Sequence, residues 1–311
     1  MNDHRKIIYL DQNAWINISD NPDLRDLYSR LKAATEANEA IVPLSFGNLI
    51  ETMRTPDRSR RAFLATRMME LSKGYTIAPE YYLVPFELDY AIAHVFGMPA
   101  PPLPNPLGSG VNFAFGYLHV SPDRLGAPPY QVDLVRRILD SPEGMHALLV
   151  GPPFPYNDKV SENFLGGAKE FAKEADKARE LIKPYSSAVR KRGYAAVLAN
   201  ILDSEIRQSL AKFGITYDQL LALGRKKLIA LFSDIPCLDV EIEIGSQRNG
   251  FWNRPVDPND LVDISSLCVA IPYCDAVVTE GFWVDLACRA KLNGKYSTHI
   301  TKDPASLIRV L

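Results

Sequence analysis

The chain has little of what several common chemistries require. Its four cysteines, Cys237, Cys268, Cys274 and Cys288, form no CxxC pair. A structural zinc site or a disulfide framework is therefore not expected, and the thiols read as buried in a reducing compartment. Five histidines (His4, His94, His119, His146, His299) are scattered, with no helical pair at metal spacing, which disfavours zinc hydrolysis. No apolar run approaches the ~18 residues of a membrane span, and Met-Asn-Asp-His-Arg-Lys leads into an apolar run too short for a signal segment. The expectation is a cytoplasmic protein with no membrane partner. Charge of one sign is also missing: 35 Lys and Arg against 37 Asp and Glu leave a net −2, so nucleic-acid binding would need a local patch. No P-loop, no GxGxxG in strand-turn-helix context and no nucleophile elbow occurs, which removes dinucleotide binding and acyl transfer.

What the chain does have is apolar patterning sufficient for one large domain or two, with 311 residues that are 47% hydrophobic. Ile7-Ile8-Tyr9-Leu10 reads as a buried strand that delivers Asp11 at its carboxyl end. Residues 23–37 carry Leu24, Leu27, Tyr28 and Leu31 at helical spacing, and residues 40–44 form a second strand-like run. Ser45 is suited to cap a helix with Phe46, Leu49, Ile50 and Met53 on its apolar side and Glu51 near its start. A right-handed parallel crossover follows.

The same alternation returns at the other end of the chain. Leu238, Val240, Ile242 and Ile244 alternate as in a strand over 237–244, followed by a helix over 259–270 and a strand over 276–279. A helix over 282–292 and a strand over 298–301 complete this part. Between the two ends lie a proline cluster at 99–106, loop-rich sequence, and helical patterns over 161–183, 186–213 and 217–232. These patterns predict an α/β domain split between 1–80 and 237–311 and interrupted by a large, mainly helical insertion over 81–236.

In an open parallel sheet, functional groups collect beyond the carboxyl ends of the strands. Asp11 and Glu280 each follow a strand, Asp260 and Asp263 share the first turn of the helix before the second of these strands, and Glu51 lies early in another helix. Five acids therefore converge on one crevice, whereas Asp275 starts the strand that Glu280 ends and reads as structural. Like charges ~4 Å apart repel by about 4 kcal/mol at an effective dielectric of 20, so such a cluster needs compensation. Mg²⁺ or Mn²⁺, which prefer oxygen ligands, would supply it, and the matching chemistry is in-line attack on a phosphodiester.

These residues resemble the PIN-domain nucleases, a magnesium- or manganese-dependent fold related to flap endonucleases. The likeness is carried by Ile-Ile-Tyr-Leu-Asp-Gln-Asn-Ala-Trp-Ile, by Leu-Ile-Glu-Thr, and by Asn-Asp-Leu-Val-Asp-Ile-Ser-Ser-Leu-Cys-Val-Ala followed by Ala-Val-Val-Thr-Glu. It covers roughly 6–72 and 237–310. Gln12 stands where the family usually has threonine, and Glu280 stands near a position where many members carry aspartate or asparagine. The resemblance implies a PIN-like three-layer sandwich around a central, mostly parallel sheet, with Asp11, Glu51, Asp263 and Glu280 as metal ligands. Asp260 would be a further ligand or would orient water. It also implies a ribonuclease of endonucleolytic type (an endoribonuclease) acting on single-stranded or structured RNA, with toxin-like or defence roles known in the broader group. An inhibitor protein and a homodimer are compatible partners.

Arg54, Arg58, Arg60, Arg61 and Arg67 make a local basic excess after Glu51. Arg54, Arg58 and Arg61, with Asn13 and the potential stacking residue Trp15, are the candidate substrate contacts. Two alternatives stay open. One is a catalytically silent PIN-like module that binds RNA or a protein. The other is phosphoryl transfer through Asp11 as in haloacid-dehalogenase-like enzymes, although those look for a second aspartate where this chain has Asn13.

Overall fold

A computed structural model describes residues 5–117, 128–151 and 179–311, together with 169–170, 172–173 and 175–177. Its centre is set by three short apolar runs too β-branched to favour helix. Strand β1 (Lys6–Leu10) pairs in parallel with β2 (Ala40–Ile41) on one side. On its other side it pairs in parallel with the strand Ala276–Val278, which in turn pairs with His299–Thr301. The result is a four-stranded parallel sheet. The expected second strand is shorter than its pattern: beyond Ile41 the chain keeps only an isolated parallel bridge from Leu44 to Thr76.

Side chains alternate along each strand, so one strand feeds two cores. Ile8, Leu10, Ala276 and Val278 enter one hydrophobic cluster, while Tyr9 and Val277 enter the other. The first cluster is covered by α1 (Gln12–Asp20), α2 (Arg25–Glu36), α3 (Phe46–Arg54) and α4 (Arg58–Ser72). A two-stranded antiparallel ribbon, β3 (Tyr75–Ile77) with β4 (Leu107–Ser109), flanks α5 (Glu80–Val95). After α6 (Gly110–Ala114) come α7 (Pro129–Asp140), α8 (Pro142–Val150), α9 (Ser187–Ile201), α10 (Asp203–Lys212), α11 (Tyr217–Ala222) and α12 (Gly224–Ser233). The chain then forms α13 (Pro236–Arg248), α14 (Asp260–Tyr273), β5 (Ala276–Val278), α15 (Gly281–Arg289), α16 (Leu292–Tyr296) and β6 (His299–Thr301).

Several expectations are corrected here. The segment 237–244 is not a strand but the heart of α13, packed between α14, α9, α15, α12 and α5. A helix enclosed on nearly every side needs apolar residues all round, and that requirement mimics the alternation of a strand. Two of its three acids have tertiary partners: Asp239 accepts from Tyr296 Oη at 2.9 Å, and Glu243 pairs with Lys191. Residues 80–95, read as loop-rich, are helical in spite of Pro85 inside α5. The helical patterns at 186–213 and 217–232 each break in two; of the pattern at 161–183, residues 161–168, 171, 174 and 178 lie outside the described residues, and the described ones up to Ile182 are helical. α5, α10 and α12 share a hydrophobic cluster with β5 and α14, so the middle of the chain contributes to the core against the sheet. Cys237, Cys268 and Cys274 are buried free thiols as expected, but Cys288 is exposed.

Candidate metal centre

The register of the sheet brings the distant acids together. Leu10 faces Val278 across β1 and β5, and Asp11 N–H donates to Val278 O at 3.0 Å, so Asp11 sits beside the turn of Thr279 and Glu280. Asp11 is also the N-cap of α1, its Oδ1 accepting from Ala14 N–H at 2.7 Å. An acid is favoured there by the unpaired amides of the first helical turn.

Glu51 reaches the same edge because α3 starts from a capping box: Ser45 and Asn48 exchange hydrogen bonds, and Asn48 Nδ2 also donates to Leu10 O at 3.2 Å. That last bond ties the start of α3 to the end of β1. α14 runs back toward the start of β5, which leaves Asp263 in its first turn at the carboxyl edge of the sheet. Gly47 lets α3 and α14 approach, since a β-carbon there would lie 2.8 Å from Val262 Cγ1 and 3.1 Å from Ser266 Oγ.

Asn13, Glu51, Arg54, Thr55, Asn259, Asp263 and Glu280 line a cleft of about 390 Å³; Asp11 is not in its lining but is close enough to feel the charge of Glu280 and to act on Glu51. The electrostatics of the four acids are unfavourable as they stand. Burial, then the charge of Glu280, pushes Asp11 up to about 6, against hydrogen bonds from Ala14 and Thr279. Burial and the charge of Asp11 push Glu51 up to about 7. Burial, Glu51, Asp11 and Glu280 push Asp263 up to about 8 although Trp283 Nε1 donates to its Oδ2 at 3.0 Å. Burial leads in all three, and the charge of the neighbouring acids adds to it. Asn13 Nδ2 donates to Glu280 Oε1 at 2.5 Å. In these side-chain positions, no group of three or more His, Cys, Asp or Glu among the described residues closes to metal-holding geometry. The donor set is nevertheless all oxygen, which suits Mg²⁺ or Mn²⁺ and not a soft metal.

Asp260 is a correction. Its carboxylate is 1% exposed and held by Arg248, with Nε at 3.0 Å, and by Arg254, with Nη2 at 2.7 Å. Burial raises its proton affinity, but the hydrogen bonds from Arg254 and Arg248 outweigh this and hold it below the usual carboxylate range. With its oxygens occupied by two guanidinium groups and Asp257 N–H, it is a strut and not a ligand or water-orienting group.

Two of the expected substrate contacts are also structural. Trp15 is fully buried in the core, on the same side of α1 as Ala14 and Ile18. Arg61 is 7% exposed and donates to the carbonyls of Thr55 at 2.6 Å and Pro56 at 3.0 Å, bracing the link from α3 to α4. Arg54 and Asn13 do line the cleft, while Arg58 is exposed at the start of α4 without lining it. Asp275 has the structural role expected of it, accepting from Ile7 N–H at 2.8 Å and pairing with Lys6.

Two further residues shape the site without having been among the expected ones: Trp283, which donates to Asp263, and Asn48, which anchors the helix of Glu51. Asn48 carried a signal, being the N3 residue after a serine N-cap. Trp283 carried none, since its contact joins two helices across a strand. No protein-family model, no characterised protein and no solved structure matches this chain.

Proposed function

We propose that the chain is a divalent-metal-dependent nuclease of PIN-like type, with Asp11, Glu51, Asp263 and Glu280 holding Mg²⁺ or Mn²⁺ and RNA as the substrate. The single observation that carries this reading is the set of acids from β1, α3, α14 and the end of β5, crowded at one sheet edge, with Asp11, Glu51 and Asp263 raised first by burial and then by the charge of neighbouring acids. Such crowding opposes folding unless a cation relieves it. RNA over DNA and an endonucleolytic mode come from the family resemblance.

Each residue then has a definite task. A divalent cation bound here supplies Lewis-acid stabilisation of charge on the phosphodiester. Arg54, exposed and lining the cleft, binds the substrate phosphate. Trp283 holds Asp263 through one oxygen and leaves its other oxygen toward the cleft, and Asn13 orients Glu280. Asp11 stays fixed because it also caps α1.

Labelled RNA incubated with the protein in Mn²⁺ is expected to be cleaved, with cleavage lost in EDTA and reduced at least about a hundredfold in an Asp11→Asn variant. Cleavage that survives the substitution would rule the reading out. A second reading, a silent binding module, is favoured by the bond that turns Glu280 onto Asn13 and by the open arrangement of the acids. It predicts no thermal stabilisation in millimolar Mn²⁺, whereas a nuclease that binds the ion in its native state must be stabilised.

A further inference from the structure

A larger cleft, about 710 Å³, lies on the outer side of α1 and is walled by α1, α2 and α4. Its size is that of a small-molecule subsite. The lining combines Arg25 and Lys32 with the rings of Tyr28 and Phe63. The guanidinium of Arg67 lies 4.4 Å from the Tyr28 ring centre and 5.5 Å from that of Phe63, so one flat cation sits against two aromatic faces. Phe63 is 39% exposed, so part of its ring is open to the cleft. Ser19 Oγ, also in this lining, is buried and has no hydrogen-bond partner. Of the two acids that line the cleft, Asp20 is paired with Arg60, while Glu36 lies at its far end along α2; the neighbouring Glu70 pairs with Lys32 and Arg67.

The two clefts share a wall. Asn13 of α1 lines the acidic cleft and Ser19 of the same helix lines the larger one, about 9 Å apart at ~1.5 Å per residue. The ion pair from Arg60 Nη1 to Asp20 Oδ1 at 2.6 Å bridges α4 to the end of α1, and Arg54 and Arg58 stand where α3 passes into α4. Cations and exposed aromatic faces are what a single-stranded nucleic acid uses along its path: phosphates on Arg and Lys, bases on rings.

Resting on the nuclease reading, we infer that the larger cleft is a second subsite of the same enzyme. It holds a nucleotide of the single-stranded RNA a few residues from the scissile phosphate, with the base against Phe63, the phosphate on Arg25 and Lys32, and a polar group of the nucleotide on Ser19. The cleft thereby sets the length of strand the enzyme grips.

The test uses the full chain in EDTA, where nothing is cleaved, with labelled oligouridylates of about three and about eight nucleotides followed by fluorescence anisotropy. The longer oligomer is expected to bind at least about tenfold more tightly. Phe63→Ala and Arg25→Glu are each expected to lower its affinity roughly five- to tenfold while the short oligomer's affinity moves less than about twofold. Arg25 is exposed, so its variant keeps the test sound if Phe63→Ala disturbs packing. Equal affinity for both lengths, or variants that bind the longer oligomer as the parent does, would overturn the inference. Displacement of the longer oligomer by UMP at matching concentration would overturn it too, since that marks a free-nucleotide site. If the parent protein cleaves no RNA in Mn²⁺ but the length step and its loss in the variants persist, the nuclease reading falls and the strand subsite stands.

Discussion

Among the residues, the contrast between Asp260 and Asp263 is the most instructive, because the two lie one helical turn apart and have opposite electrostatic fates. Asp260 is buried between two guanidinium groups that hold it ionised, so the native state binds its proton more weakly than the unfolded chain does. Its contribution is present above the unfolded value near 4 and is lost as pH falls through the depressed native value. Asp263 is raised to about 8, so its proton is favoured by folding and its contribution is lost as pH rises through that value. Urea denaturation in EDTA at pH 8 should therefore separate them. Asp260→Ala is expected to destabilise by about 3 kcal/mol, because the buried Arg248 and the half-buried Arg254 lose their partner, while Asp263→Asn is expected to stabilise by on the order of 2 kcal/mol. Shifts of the same sign would contradict the assignment. Which of the two acids faced the cleft was not legible in the sequence, because the arginines that claim Asp260 lie 12 residues before it in α13 and in the loop between the helices. Asp11 and Glu280 were legible, since each directly follows a short apolar strand. Trp15 could have been read as core from its spacing to Ile18 on one face of α1.

Elements matter here through how closely they approach. α3 and α14 carry Glu51 and Asp263, and their separation is set by Gly47, where an added β-carbon would stand 2.8 Å from Val262. Replacing a glycine inside a helix by a better helix former gains up to ~1 kcal/mol of propensity, and less at Gly47 in the first turn of α3, but overpacking a close helix contact costs about 1–3 kcal/mol. Gly47→Val, which adds bulk with little gain in propensity, is expected to lower stability by about that amount and to weaken Mn²⁺ binding measured by calorimetry several-fold. Unchanged metal affinity in a folded variant would show that this contact does not position the acids. The parallel strands and the capped helix at Ser45 were legible because their signals are local: an apolar run, a serine and a polar N3 residue. α13 was not, because its alternation of Leu238, Val240, Ile242 and Ile244 with acids matches a strand until the neighbours that bury it are known. α5 was hidden by Pro85, which local reading takes for a breaker but which the packing against α10, α13 and α14 accommodates.

For the molecule as a whole, the parallel sheet with helices on both faces makes one edge the meeting point of segments more than 250 residues apart. Leu10 and Val278 lie side by side, and everything proposed about chemistry follows from that register. Under the proposed function a near-neutral chain binds nucleic acid by segregating its charge, with acids in the smaller cleft beside Arg54 and with Arg25, Lys32 and Arg67 in the larger one. The middle of the chain was read as an insertion from its change in pattern, but α5, α10 and α12 share a hydrophobic cluster with β5, a tertiary fact with no local signature. The most direct test of the metal centre is anomalous scattering from a crystal of the protein soaked in Mn²⁺. The account predicts a peak bounded by Asp11, Glu51, Asp263 and Glu280, with Asp260 still held by Arg248 and Arg254; no peak among those four acids, or one that draws Asp260 into its ligand set, would contradict it.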